Sequence, residues 1–308
     1  CLERLLKVTN VFSASEVTEL TRKSDLRGSW ILSCQLGITA SCFALAGLWP
    51  NLPTFIIGTI LLGGRQMGFF VLTHEAGHRT LFKSNWLNAQ VSSWITAPMD
   101  FMNGRAYVRE HLIHHRLVGT DDDPDITNYR DYPISRARLW RKLKRDITGQ
   151  TGARDLYRKL IGFSRLTSLD SENRAALLRG LIWHLALFAI LSAFAVPHLF
   201  LMWVVALIFV YPAIARLRQV SEHGAVPELT SNDPRLNTRT TLVGPFVRLL
   251  FCPHGVSYHI EHHLNAAIPI FRLHTAHLFL AERGYFQQSD LTYGFVNTLK
   301  RMTEVTSA

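Results

Sequence analysis

Histidine is concentrated in a few short stretches of this 308-residue chain, and its spacing there is that of a helix. Residues 74–78 read HEAGH, whereas residues 111–115 and 259–263 read HLIHH and HIEHH. Side chains three and four positions apart lie on the same face of an α-helix, with Cβ atoms about 5–6 Å apart. Each stretch is therefore predicted to aim two or three imidazoles at one point. Neutral imidazole is the commonest metal ligand among side chains, so this spacing favours a metal centre.

Nine of the 14 histidines are candidate metal ligands when an isolated histidine at position 223 is counted with the three stretches. They are His74, His78, His111, His114, His115, His223, His259, His262 and His263. A protein-bound metal takes about four to six ligands, so nine imidazoles favour two metals that share the set. Chance clustering is the alternative for any one stretch, but it does not account for three stretches of matching period.

Glutamates adjoin the candidate ligands without sharing their helical face. Glu75, Glu222 and Glu261 are predicted to accept hydrogen bonds from imidazole N–H groups, which would fix the orientation of the metal-binding rings. A solvated charge near a helix end is the alternative interpretation. Closed zinc sites take four ligands and commonly include cysteine, and carboxylate-bridged di-iron bundles use Glu-x-x-His pairs. An all-imidazole set is consistent with two irons that handle dioxygen, although spacing alone leaves other metals open.

Four long apolar segments indicate an integral membrane protein. Apolar residues make up 48% of the chain, and the segments carry almost no charge. A bilayer core requires about 20 apolar residues per helix, with a range of about 17–25. We predict an all-α protein with four transmembrane helices in two hairpins. The expected spans cover residues 30–49, 52–73, 181–197 and 199–217.

The distribution of Lys and Arg predicts the orientation of these spans. The two hairpin turns, Pro50-Asn51 and Pro197-His198, carry neither residue, whereas the segments around them are rich in both. Basic residues remain on the cytoplasmic side. Both termini and the long central loop are therefore expected in the cytoplasm, with every histidine stretch. We predict one domain over residues 1–308, with a helical cytoplasmic cap formed by residues 74–180 and 218–308.

The net charge of +10 is explained in large part by these basic loops. The stretch from Arg136 to Arg145 adds apolar residues at helical spacing among cations, which suits a helix lying on anionic headgroups. Nucleic acid is not an expected partner, because no binding motif accompanies the charge. The four cysteines form no C-x-x-C pair and are predicted to be inert thiols in a reducing compartment.

The three histidine stretches, their order and the predicted spans together resemble the membrane fatty acid desaturase superfamily, and bacterial acyl-lipid members in particular. The resemblance covers roughly residues 30–285. It is carried by residues 63–78 (GGRQMGFFVLTHEAGH), Asp123-Pro124-Asp125, residues 218–224 (RQVSEHG), residues 237–241 (NTRTT), Pro253-His254 and residues 258–263 (YHIEHH).

That resemblance implies a non-haem enzyme with two irons, which uses dioxygen and two external electrons to abstract hydrogen from an unactivated C–H bond. It implies that the nine histidines are iron ligands. Gln219 corresponds to an amide that holds a metal-bound water in some relatives. The implied substrate is a fatty acyl chain on a lipid or an acyl carrier. The implied partner is a separate electron donor of the ferredoxin, rubredoxin or cytochrome b5 type.

Several other functions remain open at this point. Hydrogen abstraction followed by oxygen rebound would give a hydroxylase. Relatives with the same three histidine stretches act on carotenoids and other lipids. A membrane metal carrier would use the same side chains, but it would place them near the bilayer midplane between spans. A zinc-dependent membrane hydrolase would work without oxygen.

The rest of the chain carries weaker expectations. An amphipathic helix is predicted to begin near Ser15, residues 85–102 to form an interfacial segment, residues 224–244 to form a loop and the last 40 residues to form a peripheral helical tail. Arg65 must face protein or water within its span. The remaining histidines are predicted to be interfacial (His184 and His198), close to the metal-binding set (His254) or on the surface (His274 and His277).

Overall fold

The computed structural model describes residues 11–303, and the basic residues Arg4 and Lys7 lie outside that range. The described chain is mostly helical. It contains α1 (Ala14–Leu20), α2 (Asp25–Leu48) and α3 (Leu52–Gly77). Helix α1 begins where the sequence predicts, after an N-cap serine whose hydroxyl accepts the backbone N–H of Glu16.

The central part of the chain consists of shorter helices. They are α4 (Asn85–Val91), a π-helical turn at Ser92–Thr96, a 3₁₀ turn at Ala97–Asp100, α5 (Gly104–Leu117), a 3₁₀ turn at Ile126–Asn128, α6 (Arg136–Ile147) and α7 (Gln150–Ser164). The predicted basic helix is confirmed as α6. Its exposed Trp140 and buried Leu139 show that both of its faces carry large apolar side chains.

The second apolar half contains α8 (Ser171–Ala193), a 3₁₀ turn at Pro197–Leu199, α9 (Phe200–Val205), a π-helical turn at Ala206–Val210 and α10 (Tyr211–His223). The last four form one helical segment from residue 197 to residue 223. Helix α8 begins ten residues before the predicted span, because the Asp170 carboxylate caps it by accepting the backbone N–H of Asn173.

The remaining elements follow α10. They are α11 (Pro234–Asn237), β1 (Arg239–Leu242), α12 (Pro245–Leu250), a 3₁₀ turn at Pro253–Gly255, α13 (His259–Leu264), a 3₁₀ turn at Ile270–Arg272, α14 (Leu273–Glu282), a 3₁₀ turn at Tyr285–Gln288, β2 (Asp290–Tyr293) and α15 (Phe295–Thr303). Strands β1 and β2 pair in parallel.

Four helical segments are long and apolar enough to cross a membrane, as the sequence predicts. The shortest has 23 residues, which at 1.5 Å per residue extends about 35 Å, against a hydrocarbon core of about 30 Å. The segments are not equivalent. In the apolar window of α3, 67% of the residues are buried, against 28–33% in the other three. Helix α3 is therefore the central helix, against which the others pack.

Glycine permits a close approach at the centre of α3. A Cβ added at Gly64 would lie 3.0 Å from the carbonyl oxygen of Leu249 and from the Cα of Leu250. The neighbouring Arg65 is buried and donates to the Leu249 carbonyl and, at 3.1 Å, to Gln35 Oε1. The predicted protein-facing position of Arg65 is confirmed, and its contacts join α2, α3 and the end of α12.

Two expectations about the C-terminal third are wrong. Residues 224–244 are not a simple loop, because they contain α11 and β1. The described part of the last 40 residues is not peripheral, since Leu280 and Met302 are completely buried in the core. The strand pair also departs from an all-α fold, and it ties the C-terminal segment to the region that follows α10.

Candidate metal centre

The histidine stretches lie at the ends of helices that meet in the interior. His74 lies in the last turn of α3, and His78 is the residue at which that helix ends. The second stretch occupies the C-terminal half of α5, and the third forms most of α13. His223 is the last residue of α10. Four separate segments therefore carry the candidate ligands to one place.

Five of the imidazoles form what we call the five-histidine group. Their ligand atoms all lie within 4.8 Å of one another. The Nε2 atoms of His78 and His111 are 2.9 Å apart, and those of His115 and His262 are 3.0 Å apart. The group consists of His74, His78, His111, His115 and His262.

The other four imidazoles form what we call the four-histidine group. Ligand atoms of three of them, His114, His223 and His263, lie within 4.8 Å of one another. His259 joins them, because its Nε2 lies 2.9 Å from His223 Nε2 and 3.1 Å from His263 Nε2. The structure thus brings all nine predicted residues together, and it divides them into a set of five and a set of four.

The spacing of these nitrogens fits ligands around a metal ion. With a metal–imidazole distance of about 2.1 Å, two ligands at a right angle are about 3.0 Å apart. Buried polar atoms normally have hydrogen-bond partners. Within residues 11–303, however, both ring nitrogens of His74 and the Nδ1 atoms of His115, His259 and His263 have none. A bound cation would satisfy one nitrogen of His74, whereas the other three Nδ1 atoms belong to rings whose Nε2 atoms face the groups.

Burial keeps the imidazoles in the form that binds metals. It lowers the pKa of His78 to about 4, because a charged ring would lose its hydration. Burial and neighbouring imidazoles also lower the pKa values of His111, His115, His259 and His263 below their usual range. These rings are therefore neutral at pH 7, as metal coordination requires.

An aspartate that follows the second stretch orients one ring of the four-histidine group. The Nδ1 of His114 donates to Asp123 Oδ1 at 2.8 Å, so His114 presents Nε2 to the group. The same carboxylate accepts the hydroxyl of Tyr129 and, at 2.9 Å, the backbone N–H of Asp125. Burial alone would raise the pKa of Asp123, but these hydrogen bonds outweigh it and hold the pKa below the usual value. The sequence marked this residue as part of a motif without assigning it this role.

Glu75 and Glu261 were predicted to accept hydrogen bonds from the metal-binding imidazoles, but their contacts are different. Glu75 accepts the backbone N–H of Ile270 at 2.9 Å, and Glu261 accepts from His277 Nδ1 and from the Thr240 hydroxyl, both at 2.5 Å. These carboxylates therefore connect α3 and α13 to the segments packed against them. The prediction that His277 lies on the surface is wrong, because it is buried beside Glu261.

Arg239 holds the chain that follows His223. Its guanidinium donates to the carbonyl groups of Ser221, Gly224 and Ala225 at 2.7–3.2 Å. It also pairs with Asp290 of β2 at 2.6 Å. No role was predicted for this arginine, because Gly224 and Ala225 lie in a segment predicted as a loop and Asp290 lies in the predicted tail.

The remaining histidines lie apart from the two groups. His184 Nδ1 bonds to its own helix at the Gly180 carbonyl, and His198 stacks on Phe55. His254 contacts Gln35 rather than a histidine of either group. His274 is exposed, as predicted, and it contacts the hydroxyl of Tyr258.

A cavity of about 180 Å³ borders the four-histidine group. Gln219, the predicted holder of a metal-bound water, lies in its wall. A second cavity of about 320 Å³ shares Tyr211, Ala215 and Gln219 with the first. The wall of the first cavity also contains Tyr107, Asp125, Tyr129, Arg218 and Glu222, and the Tyr129 ring stacks on His223.

Known proteins resemble this chain over most of its length. The dihydrorhizobitoxine desaturase of Bradyrhizobium elkanii is 26% identical over 276 residues, which is 85% of this chain and 77% of that protein. A β-carotene ketolase of a Paracoccus species is 26% identical over 216 residues, or 68% and 73% of the two chains. The sn-1 oleoyl-lipid 12-desaturase of a Synechocystis species is 25% identical over 253 residues, or 76% and 69%.

Residues 48–296 match the family model for fatty acid desaturase. This range contains all nine histidines of the two groups. The expected resemblance is confirmed, and the enzyme class of the family and of these relatives is oxidoreductase. The chain therefore belongs to the fatty acid desaturase family.

Proposed function

We propose that this protein is an oxygen-dependent di-iron membrane desaturase that introduces a double bond into a fatty acyl chain. The observation that carries the proposal is the convergence of nine imidazoles in a group of five and a group of four. Two ions held without thiolate ligands match iron better than closed zinc sites, which take four ligands. Bound iron would supply the activation of dioxygen and the removal of hydrogen from an unactivated C–H bond.

The protein's own residues hold and orient this centre. The nine histidines are the proposed iron ligands, and Gln219 is the proposed holder of a water at the wall of the cavity. Asp123 fixes the tautomer of His114. Burial of both groups keeps bulk water away from reactive species during turnover. Membership of the desaturase family argues against a membrane metal carrier, the other class of function that the sequence left open.

We propose that the four apolar segments span the membrane as two hairpins, with one domain over residues 1–308. The spans correspond to the predicted 30–49, 52–73, 181–197 and 199–217, and the cap to residues 74–180 and 218–308. The absence of Lys and Arg from the two short turns supports cytoplasmic termini and a cytoplasmic cap. A separate ferredoxin-, rubredoxin- or cytochrome b5-like donor would then reach the centre from the cytoplasm.

Cysteine labelling tests this orientation. A cysteine placed at Asn51, in the first turn, should react with an impermeant thiol reagent added outside intact cells. A cysteine placed at Ser135, before α6, should react only after the cells are permeabilised. The reverse pattern would separate the centre from cytoplasmic reductants and contradict the proposed mechanism.

The proposed substrate is an acyl chain attached to a polar carrier. Cations between Arg136 and Arg145 on α6 surround the exposed Trp140, and they are suited to hold an anionic headgroup or carrier phosphates at the membrane surface. Each such cation contributes about 1 kcal/mol near an anionic membrane. A head held at the surface would fix the distance between it and the oxidised carbon.

Expression in a host that lacks unsaturated lipids tests the substrate. Mass spectrometry should detect one new double-bond position, dependent on dioxygen and abolished by His259→Ala. Stoichiometric zinc in active protein, together with activity under strict anaerobiosis, would contradict the oxygenase function. An unchanged lipid profile accompanied by a new hydroxylated carotenoid would contradict the acyl substrate while leaving the iron chemistry intact.

A second candidate function is the oxidation of a small polar molecule, and the cavity beside His223 favours it. Its volume of about 180 Å³ lies below the roughly 300–1,000 Å³ of ordinary ligand pockets, and Asp125, Arg218 and Glu222 line it. Relatives of this chain are named for β-carotene and dihydrorhizobitoxine as well as for lipids. In the same host, a new polar metabolite that disappears in His259→Ala, with fatty acids unchanged, would favour this candidate.

A further inference from the structure

Glu222 lies between a buried cation and the four-histidine group. It precedes His223 at the end of α10 and is only 5% exposed. Its Oε1 accepts from Arg218 Nε at 2.7 Å, one helical turn earlier. Its other oxygen, Oε2, lies 3.6 Å from His259 Nε2, the nitrogen that also faces His223 and His263. One side of the carboxylate is therefore fixed, and the other side is directed at the group.

The position of Oε2 is compatible with a ligand of the same metal as His259. Two donor atoms that are each about 2.1 Å from a metal and 3.6 Å from each other subtend about 120° at that metal. Pairs of histidine nitrogens in the two groups are only 2.9–3.1 Å apart, so each pair would subtend about 90° at its metal. Both angles occur around one five-coordinate ion. The four-histidine group also has one imidazole fewer than its neighbour, so a fifth donor would make the two sets equal in number.

Charge favours the same assignment. An imidazole that binds a metal carries no charge, so nine such ligands leave the charge of two divalent ions uncompensated in a buried site. Arg218 adds a further buried positive charge nearby. Unpaired buried charges are costly, whereas an anion in direct contact with them offsets that cost. Asp123 is already engaged by His114 and Tyr129 on the outer side of the rings. Glu222 is placed on the inner side, where it can neutralise both Arg218 and the metal.

We propose that Glu222 is an oxygen ligand of the metal held by the four-histidine group, and that Arg218 holds its carboxylate in place. The inference rests on the proposed metal centre. It makes the two metal sites chemically different: the protein supplies five nitrogen donors to one, and four nitrogen donors and one carboxylate oxygen to the other.

Metal binding by the purified full chain tests the proposal. The wild type, Glu222→Gln and Arg218→Met would be loaded anaerobically with ferrous iron, and the iron per chain would be measured against a competing chelator. Glu222→Gln should bind one of the two irons at least about tenfold more weakly and the other unchanged. Arg218→Met keeps the carboxylate and should weaken that iron less than about threefold. Mössbauer spectra of the wild type should show two different ferrous sites, one of which changes in Glu222→Gln.

Glu110→Gln is the matched control. Glu110 also precedes a proposed ligand, His111, but its side chain is exposed. This variant should therefore bind iron as the wild type does. Helical circular dichroism and the melting temperature of the metal-free proteins would detect a folding defect. Should Glu222→Gln fail to fold, Glu222→Asp decides the question. A carboxylate that is one methylene shorter should weaken the affected iron about three- to tenfold if it is a ligand, and should leave its affinity unchanged if it only supplies charge.

Iron affinity within about twofold of wild type and unchanged Mössbauer spectra in Glu222→Gln would overturn the assignment of Glu222. A greater loss of the same iron in Arg218→Met than in Glu222→Gln would also overturn it, because the arginine rather than the carboxylate would then be essential. A wild-type protein that binds no iron contradicts the proposed metal centre itself, and this result is distinct from both of the others.

Discussion

The hydrogen bond between His114 and Asp123 gives a prediction whose size follows from the structure. Asp123→Asn removes the negative charge that His114 Nδ1 faces at 2.8 Å, and it forces one amide group to replace a carboxylate with three donors around it. Hydrogen bonds to charged groups contribute about 1.5–3 kcal/mol, which corresponds to about 10- to 150-fold in binding. Loss of such an outer hydrogen bond typically lowers metal affinity or activity about 10- to 100-fold. We therefore expect a 10- to 100-fold loss of affinity for one iron.

Asp121→Asn is the matched control for this substitution. Asp121 lies in the same acidic turn, but it is exposed and its partner is Arg130 on the surface, at 2.8 Å. Chelator competition with ferrous iron, followed by oxygen-dependent turnover in membranes, would measure both variants. Asp121→Asn should remain within about twofold of wild type. Equal iron affinity in the two variants, whether both match the wild type or both are weakened, would refute the argument that Asp123 acts by orienting His114.

Three further predictions test other parts of the molecule. His263→Ala should abolish activity and lower the iron content while leaving membrane insertion intact. Membrane fractionation and elemental analysis would measure these effects, and full activity would show that His263 is not part of the centre. Gly64→Ala should lower the free energy of unfolding by about 1–3 kcal/mol, since the new Cβ meets backbone atoms at 3.0 Å, whereas Gly37→Ala meets nothing within 4 Å and should not destabilise the protein. His277→Phe leaves the buried Glu261 without one partner and should cost about 1–3 kcal/mol in thermal or chemical unfolding; an unchanged transition would show that this contact adds no stability.

Eight of the nine candidate ligands, all except His223, could be recognised from sequence because helical spacing is a local property. His111, His114 and His115 share a face of α5 whatever surrounds that helix. The apolar spans are predictable for the same reason, since length and composition are sufficient. Neither helical spacing nor apolar composition predicts how the nine histidines divide into groups of five and four. That division depends on how α3, α5, α10 and α13 meet.

Contacts between distant segments explain what the sequence did not predict. His277 looks like an ordinary surface histidine, and only the approach of α14 to Glu261 shows that it is buried. Strands β1 and β2 are short, and each is formed by a partner far away in the chain. Arg239 belonged to a recognisable motif, but its three carbonyl partners and Asp290 come together only in the folded protein.

The strand pair has a consequence for how the protein is made. Asp290 on β2 pairs with Arg239 on β1, and that arginine fixes the carbonyl groups beside His223. The complete setting of His223 therefore cannot form until the ribosome has synthesised β2. At about 5–20 residues per second, this strand follows His223 by on the order of 3–13 s. All four apolar segments precede β2, so they can enter the bilayer first. Under the proposed metal centre, metal loading of the four-histidine group would then be one of the last steps in the biogenesis of the enzyme.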